Sequence, residues 1–213
     1  NKSATCAVIL NYQGWADTRS CLDSLLNADI QPRTILIVDN GSKDKSPSSI
    51  KKWTEARFYA AELLHFSASS TQLTQMQRTL PKCVFIHSLI NLGFSGGNNL
   101  GIKWALAQKK YTYVWLLNND TIITPDALAS LHECALINPD IGIFGSTLCH
   151  MDDPDRIQCA GGCTYKPATT VFKEAYANES LQKALMDFKR PQFMYVAGAS
   201  MFIRSEVFWS IGL

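Results

Sequence analysis

The sequence predicts an α/β domain in which a mainly parallel central sheet is flanked by helices and followed by a mixed-strand half. Four short apolar runs, CAVIL (6–10), TILIV (34–38), CVFIH (83–87) and YVWLL (113–117), are continuous rather than alternating, as expected of strands covered on both faces. Longer amphipathic stretches separate these runs and polar or turn residues bound them, which is the pattern of βαβ units. Beyond Gly145 the alternation stops, and AGGCTY, KPATT and QFMYVAGASMFIRSEVF read as an irregular, mixed-strand region.

Each connection has its own signal. After NYQG, residues Trp15, Thr18, Leu22, Leu25 and Leu26 share one helical face, with Asp17 near the positive N-terminal end. Gly101 to Lys110 reads as a second helix, with Ile102, Ala105 and Leu106 inward and Lys109 and Lys110 at its negative end. A third begins at Thr124, whose hydroxyl is placed to cap free amides while Pro125 occupies a first-turn position, and it runs to about Asn138. Residues 53–82 combine a helix-compatible stretch with the linker-like SASSTQ and are expected to form an insertion or surface excursion.

A chain of 213 residues with 46 % hydrophobic content supports one sizeable core. The formal charge of +2 gives no electrostatic reason to expect a nucleic-acid partner. Seven cysteines in core-like surroundings fit buried thiols of a reducing compartment better than a disulfide framework. The expected location is therefore cytoplasmic. The longest apolar stretch, FMYVAGASMFI, is too short to span a bilayer, so membrane contact, if made, is expected to be peripheral, at the inner face.

In a parallel α/β sheet, ligands gather beyond the carboxyl ends of the strands. Here those ends are polar: Asn11 and Tyr12, then Asp39 and Asn40, then Asn118, Asn119 and Asp120. An isolated DNGS (39–42) or LNNDT (117–121) reads as a turn. At one sheet edge, a carboxylate backed by carboxamides also suits a hard cation, provided a diphosphate and water supply further oxygens. NLGFSGGNNLG (91–101) carries four glycines, which permit close backbone approach; its amides near a helix start could receive an anion. Gly96 and Gly97 read equally well as devices for tight helix–strand packing. The segment lacks the lysine of a G-x-x-x-x-G-K-[ST] loop, and it does not follow the first strand as a dinucleotide fingerprint would.

Five segments, VILNYQGWADTRSCLDSLL, ILIVDNGSKDKS, NLGFSGGNNLGI, VWLLNNDTIITPDAL and YVAGASMFIRSEVFWSIGL, together resemble the GT-A glycosyltransferases, and within them the inverting family 2 that includes rhamnosyltransferases. The resemblance covers most of the chain outside 53–82 and 150–190. It implies a Rossmann-like GT-A fold in one domain, with residues 1–122 as the nucleotide-sugar-binding half and 123–213 as an acceptor-side half that is C-terminally incomplete. It places Tyr12 against the nucleobase and Asp39, with Asn40, at the base or ribose. It sets the segment Gly93 to Asn99, including Asn98, beside the donor. Asn118 and Asp120 occupy the outer positions of the family's D-x-D motif, Asp120 as the ligand of Mg²⁺ or Mn²⁺ and Asn118 as a ribose or metal-side partner. Gly198 and Ala199 fall on the acceptor side.

The implied activity is transfer of rhamnose or another hexose from a dTDP- or UDP-linked donor to a saccharide or lipid-linked acceptor in surface polysaccharide synthesis. The family pattern continues after IGL into acidic segments carrying the general base, so the catalytic base is expected beyond Leu213 and residues 1–213 are expected to turn over poorly. The acidic MDDPD cluster (Asp152, Asp153, Asp155) reads as a solvated loop instead. Cys149, His150, Cys159 and Cys163 lack the spacing of a zinc site, and His65, His87 and His132 read as structural. Two other function classes are open: a nucleotidyltransferase, which would need a basic loop near the first strand, and a non-catalytic nucleotide-sugar-binding or protein-interaction module.

Overall fold

The computed structural model describes residues 4–186 and 195–213. Seven strands form the central sheet: β1 (Thr5–Asn11), β2 (Thr34–Asn40), β3 (Leu63–Ser67), β4 (Cys83–Ser88), β5 (Tyr113–Asn118), β6 (Ile143–Gly145) and, late in the chain, β12 (Ser200–Arg204), in the order β3-β4-β2-β1-β5-β12-β6. β1 to β5 are mutually parallel, and β12 runs antiparallel between β5 and β6. The four apolar runs of the sequence are the four adjacent strands β4, β2, β1 and β5.

Two-sided cover explains why those runs are continuous. Ala7, Ile9, Ile35, Ile37, Phe85 and Trp115 point to helices α1 (Trp15–Leu26), α2 (Ser46–Arg57) and α4 (Ala127–Ile137). The alternate residues, among them Val8, Leu36, Val38, Ile86 and Leu116, point to α3 (Gly93–Ala107) and α6 (Ser205–Ile211). Each buried aliphatic side chain contributes roughly 1.5–3 kcal/mol by leaving water, so reversing the face of one strand would forfeit a core on either side.

The second half is mixed. A hairpin of β7 (Thr147–Cys149) and β8 (Ile157–Ala160) stands beside a three-stranded sheet, β10 (Val171–Glu174), β9 (Gly162–Lys166) and β11 (Tyr195–Val196), with the short helix α5 (Leu181–Met186) nearby. Residues 192–194, the start of the QFMYV segment, lie outside the described residues.

Three sequence expectations are corrected. Residues 53–82 are not an insertion: α2 runs to Arg57 and Leu63–Ser67 is the edge strand of the main sheet, paired in parallel with β4. The second helix starts at Gly93 rather than Gly101, because close packing against the sheet outweighs the poor helix propensity of its glycines. Thr124 does not cap α4; its hydroxyl bonds the Asp126 carboxylate at 2.7 Å and the helix begins at Ala127. The remaining histidines at the core are structural. His132 meets the Thr5 hydroxyl at 2.8 Å and lies against Tyr113 and Phe202, and His65 meets the Thr54 hydroxyl at 2.9 Å.

The glycines of α3 set its distance from the sheet. A methyl at Gly101 would sit 2.6 Å from Val8 Cγ1 and 3.0 Å from Leu36 Cδ2, on strands with no free volume. Gly101→Ala gains about 1 kcal/mol of helix propensity and loses about 1–3 kcal/mol to overpacking. Net destabilisation is expected, read as a lower urea midpoint at unchanged slope; a raised midpoint would show that α3 can move outward freely.

Burial lowers the pKa of both His65 and His132, so at mildly acidic pH the unfolded chain binds more protons than the folded one. Their contribution is therefore complete above the ordinary histidine range and is lost as pH falls through the folded pKa. The urea midpoint is expected to drop between about pH 7 and pH 5, with a shallower drop in His132→Gln; an identical slope in the variant would remove His132 from this account.

Candidate active site

The parallel register builds the site. Asn11 pairs with Asp39 across β1 and β2, and Asp39 pairs with His87 across β2 and β4; one strand over, Asn118 ends β5 beside Leu10. Asp39 and Asn11 are both fully buried. Asn11 Nδ2 donates to Asp39 Oδ1 at 2.7 Å and to Ser42 Oγ at 3.2 Å. The other Asp39 oxygen accepts from the Ser42 amide at 3.2 Å and lies 3.1 Å from His87 Nδ1, which must be the donor to an ionised carboxylate. Ser42 Oγ also accepts the Gln13 amide at 2.8 Å, which fixes the turn holding half-exposed Tyr12. A carboxylate offers about four acceptor positions, and three on Asp39 are used within the chain.

This network continues to the other side of the site. Thr18 Oγ1 donates to Asn11 Oδ1 at 2.7 Å, and Asn119 Nδ2 donates to Thr18 Oγ1 at 3.0 Å. The middle residue of the Asn118-Asn119-Asp120 turn is thus an anchor to the start of α1. Asp120 stands exposed and Asn118 is half-buried. The Asp120 charge and burial together raise the Cys21 thiol pKa to about 12, burial being the larger cause, so that thiol stays protonated.

Asn40 orders the opening of α3. Its Oδ1 accepts the Leu92 amide at 3.0 Å, and its Nδ2 donates to Asn91 Oδ1 at 2.9 Å and to the Gly93 carbonyl at 3.0 Å. Asn91 Oδ1 in turn accepts the Gly93 amide at 2.8 Å. Two amides at the helix start are therefore satisfied by carboxamides, and Gly93 supplies the positive φ of +71° that the turn needs. Buried Asn98 donates to the Phe94 carbonyl at 3.0 Å inside the helix, while Asn99 is half-buried on its flank. Gly97 lets the helix touch Leu10 and Asn40, where a methyl would fall 2.5 Å and 3.1 Å away. For Gly97 the tight-packing reading is the one the geometry favours, whereas a methyl at Gly96 would meet only Leu92 of its own segment.

The segment carrying Gly198 and Ala199 closes the far side. The Ala199 carbonyl accepts the Asn118 amide at 3.0 Å, and Gly198 faces the ring of exposed Phe94. Tyr12, Asp39, Asn40, Gly93, Asn118, Asp120, Gly198 and Ala199 thus border one edge of the sheet. Sequence reading put Asn119 and the segment from Asn91 at this edge but missed Thr18, taken as a helix-face residue, and His87, taken as structural. Only the strand register could have revealed His87, because its place beside Asp39 follows from pairing and not from any motif.

Among the described residues, no three His, Cys, Asp or Glu side chains gather into a metal-holding group, the Cys149, His150, Cys159 and Cys163 set included. Asp120 with Asn118 is an oxygen donor set that fits a hard divalent cation when a diphosphate completes the shell. The MDDPD carboxylates serve their own loop: Asp153 pairs with Arg156, and Asp155 accepts from Ser180 Oγ and the Gln182 amide at the start of α5. Among the described residues, no helix is long and apolar enough to cross a membrane.

A mostly parallel sheet with a polar carboxyl edge and an antiparallel strand inserted from the second half is the GT-A glycosyltransferase architecture. The sequence profile of Glycosyl transferase family 2 matches residues 6–212, and the chain belongs to that family. Among solved structures it is similar to the mannosyltransferase PcManGT of Pyrobaculum calidifontis, solved with GDP-Man and Mn²⁺, at 15 % identity and a TM-score of 0.59 over 100 % of this chain and 47 % of that one. It is equally similar to GalNAc-T7, solved with UDP, GalNAc and Mn²⁺, at 14 % identity and a TM-score of 0.59 over 100 % of this chain and 37 % of that one. The chain thus spans less than half the length of either enzyme. No curated protein matches it by sequence.

Removing Asn11 takes one bond each from Thr18, Ser42 and a buried carboxylate at once. Asn11→Ala is expected to cost about 3 kcal/mol of stability, and Thr18→Val, which removes the bonds to Asn11 and from Asn119 but leaves the Asn11–Asp39 bond, about 1–2 kcal/mol. Urea unfolding of the two variants checks this; equal, small effects would mean that the network is not structural.

Proposed function

We propose that this chain is the donor-binding and part of the acceptor-binding portion of an inverting glycosyltransferase that moves a hexose, rhamnose among the candidates, from a nucleotide-diphosphate donor to a saccharide or lipid-linked hydroxyl. The observation that supports it most is the convergence on one sheet edge of Tyr12, the Asp39 cluster, exposed Asp120 and the Gly198–Ala199 segment. A role in surface polysaccharide synthesis, with peripheral contact at the inner face of the membrane, is part of this reading.

In this reading the half-exposed Tyr12 ring covers the nucleobase, and buried Asp39 acts on the nucleoside side through His87 and Ser42, which it orients. The α3 opening, held by Asn40 and Asn91, walls the donor beside Gly93. Asn118 and Asp120 face the diphosphate, and Asp120 would hold Mg²⁺ or Mn²⁺. A bound divalent cation would neutralise charge on the departing nucleoside diphosphate. The acceptor hydroxyl enters past Gly198 and Ala199, attacks the anomeric carbon from the face opposite the diphosphate, and gives its proton to a carboxylate base. Within residues 1–213 we assign that base to no side chain.

Calorimetric titration of residues 1–213 with UDP, dTDP and GDP, with and without Mn²⁺, tests the reading. Metal-enhanced binding of one nucleotide, weakened at least tenfold in Asp120→Ala, is the expected result. Binding of none of the three by the folded chain would overturn it.

A further inference from the structure

The most exposed cluster of aromatic rings in the second half lies on one face of the small β10-β9-β11 sheet. Tyr165 and Phe172 are directly paired across β9 and β10, and Tyr195 pairs with Cys163 two residues along β9; directly paired and i, i+2 residues share a face. Tyr165 and Phe172 stack at 4.7 Å between ring centroids, and Phe172 meets Tyr195 edge-on at 5.8 Å. The same face carries the exposed Glu174 carboxylate, opposite Cys163. Phe172 is 59 % exposed and Tyr195 38 %, so the row of rings presents its surface to solvent instead of closing a core. Lys166 and Lys173 fall on the opposite face by the same register.

The sheet that carries this face is joined to the site by backbone. Ala197 donates its amide to the Gly161 carbonyl at 3.4 Å, and two residues later the Ala199 carbonyl accepts the Asn118 amide. Gly145 allows the seam between the small sheet and the main one to close, since a methyl there would collide with the Gly161 carbonyl. Tyr195 therefore stands at most about 14 Å of chain from Ala199.

We propose that Tyr165, Phe172 and Tyr195, with Glu174, form a saccharide-stacking platform that holds a pyranose unit of the acceptor at a distance from the reacting hydroxyl. The negative faces of aromatic rings attract the C–H groups that line the apolar face of a pyranose, and a carboxylate accepts from its hydroxyls. Among the described residues this face carries rings and one carboxylate and no cation, a composition that fits a neutral sugar chain. The proposal rests on the glycosyltransferase reading for the identity of the ligand as acceptor.

The test is NMR saturation transfer and titration of residues 1–213 with gluco-, manno- and rhamno-configured pyranose tetrasaccharides, beside UDP, dTDP and GDP titrations of the same samples. At least one tetrasaccharide is expected to bind, with Phe172→Ala weakening it roughly 5- to 10-fold and Phe172→Trp keeping it within about twofold, all with nucleotide binding unchanged. Absence of saccharide binding, equal binding by Phe172→Ala, or Phe172-dependent self-association in the ultracentrifuge would each overturn the platform. In those cases retained nucleotide binding leaves the enzyme reading standing. Phe172-dependent saccharide binding without nucleotide binding would support the platform while removing the donor site.

Discussion

One chain of buried hydrogen bonds holds the site together: Asn119 to Thr18, Thr18 to Asn11, Asn11 to Asp39, and His87 on the far carboxylate oxygen. It crosses β5, α1, β1, β2 and β4, so it fixes the register of four strand ends and the start of one helix together. A buried carboxylate is costly unless its acceptor positions are filled, and here Asn11, Ser42 and His87 fill them. That requirement ties the two sides of the edge to each other. Moving the Asn118-Asn119-Asp120 turn relative to Asp39 would break at least one buried bond, and in a low-dielectric interior a partly satisfied network is worse than none.

Against this polar network the glycines of α3 act by what they lack. Gly97 and Gly101 bring the helix onto Leu10, Val8 and Leu36, and the same close approach delivers Asn40 to the amide and carbonyl groups of residues 91–93. The opening of α3 is therefore held from the strand by Asn40 and from its own segment by Asn91, with no cap from Leu92. A segment that looked suited to gripping an anion with its amides spends two of them on carboxamides.

Much of the fold was legible in the chain because parallel strands covered on both faces must be continuously apolar, and β1, β2, β4 and β5 are. β3 was not, since Leu63–Ser67 is an edge strand whose residues are only half-buried and follows a helix with a single short 3₁₀ turn between them. The start of α3 was hidden for the opposite reason: its glycines argue against a helix locally, and only tertiary contact reveals their use. Tyr12, Asp39, Asn118 and Asp120 could be found as polar residues ending apolar runs. Thr18, His87 and the anchoring bond made by Asn119 could not, because they depend on which elements are neighbours and in what register.

The antiparallel strand β12 gives the second half its purchase on the first. Trp115 donates its indole N–H to Ser200 Oγ at 3.0 Å, Ser200 and Ser146 share a 2.6 Å bond, and the Arg204 guanidinium reaches the carbonyls of Ile141, Ala135 and Asn138 at the end of α4. Strand and helix are thereby locked at both ends of β12, and Gly198 and Ala199 are the residues immediately before it. A displacement that forms one bond as the opposite one breaks needs its two partners held in line. In the proposed reading, with the donor on β1, β2 and β5 and the acceptor on a strand hydrogen-bonded to β5, backbone ladders supply such alignment without relying on the conformations of long side chains.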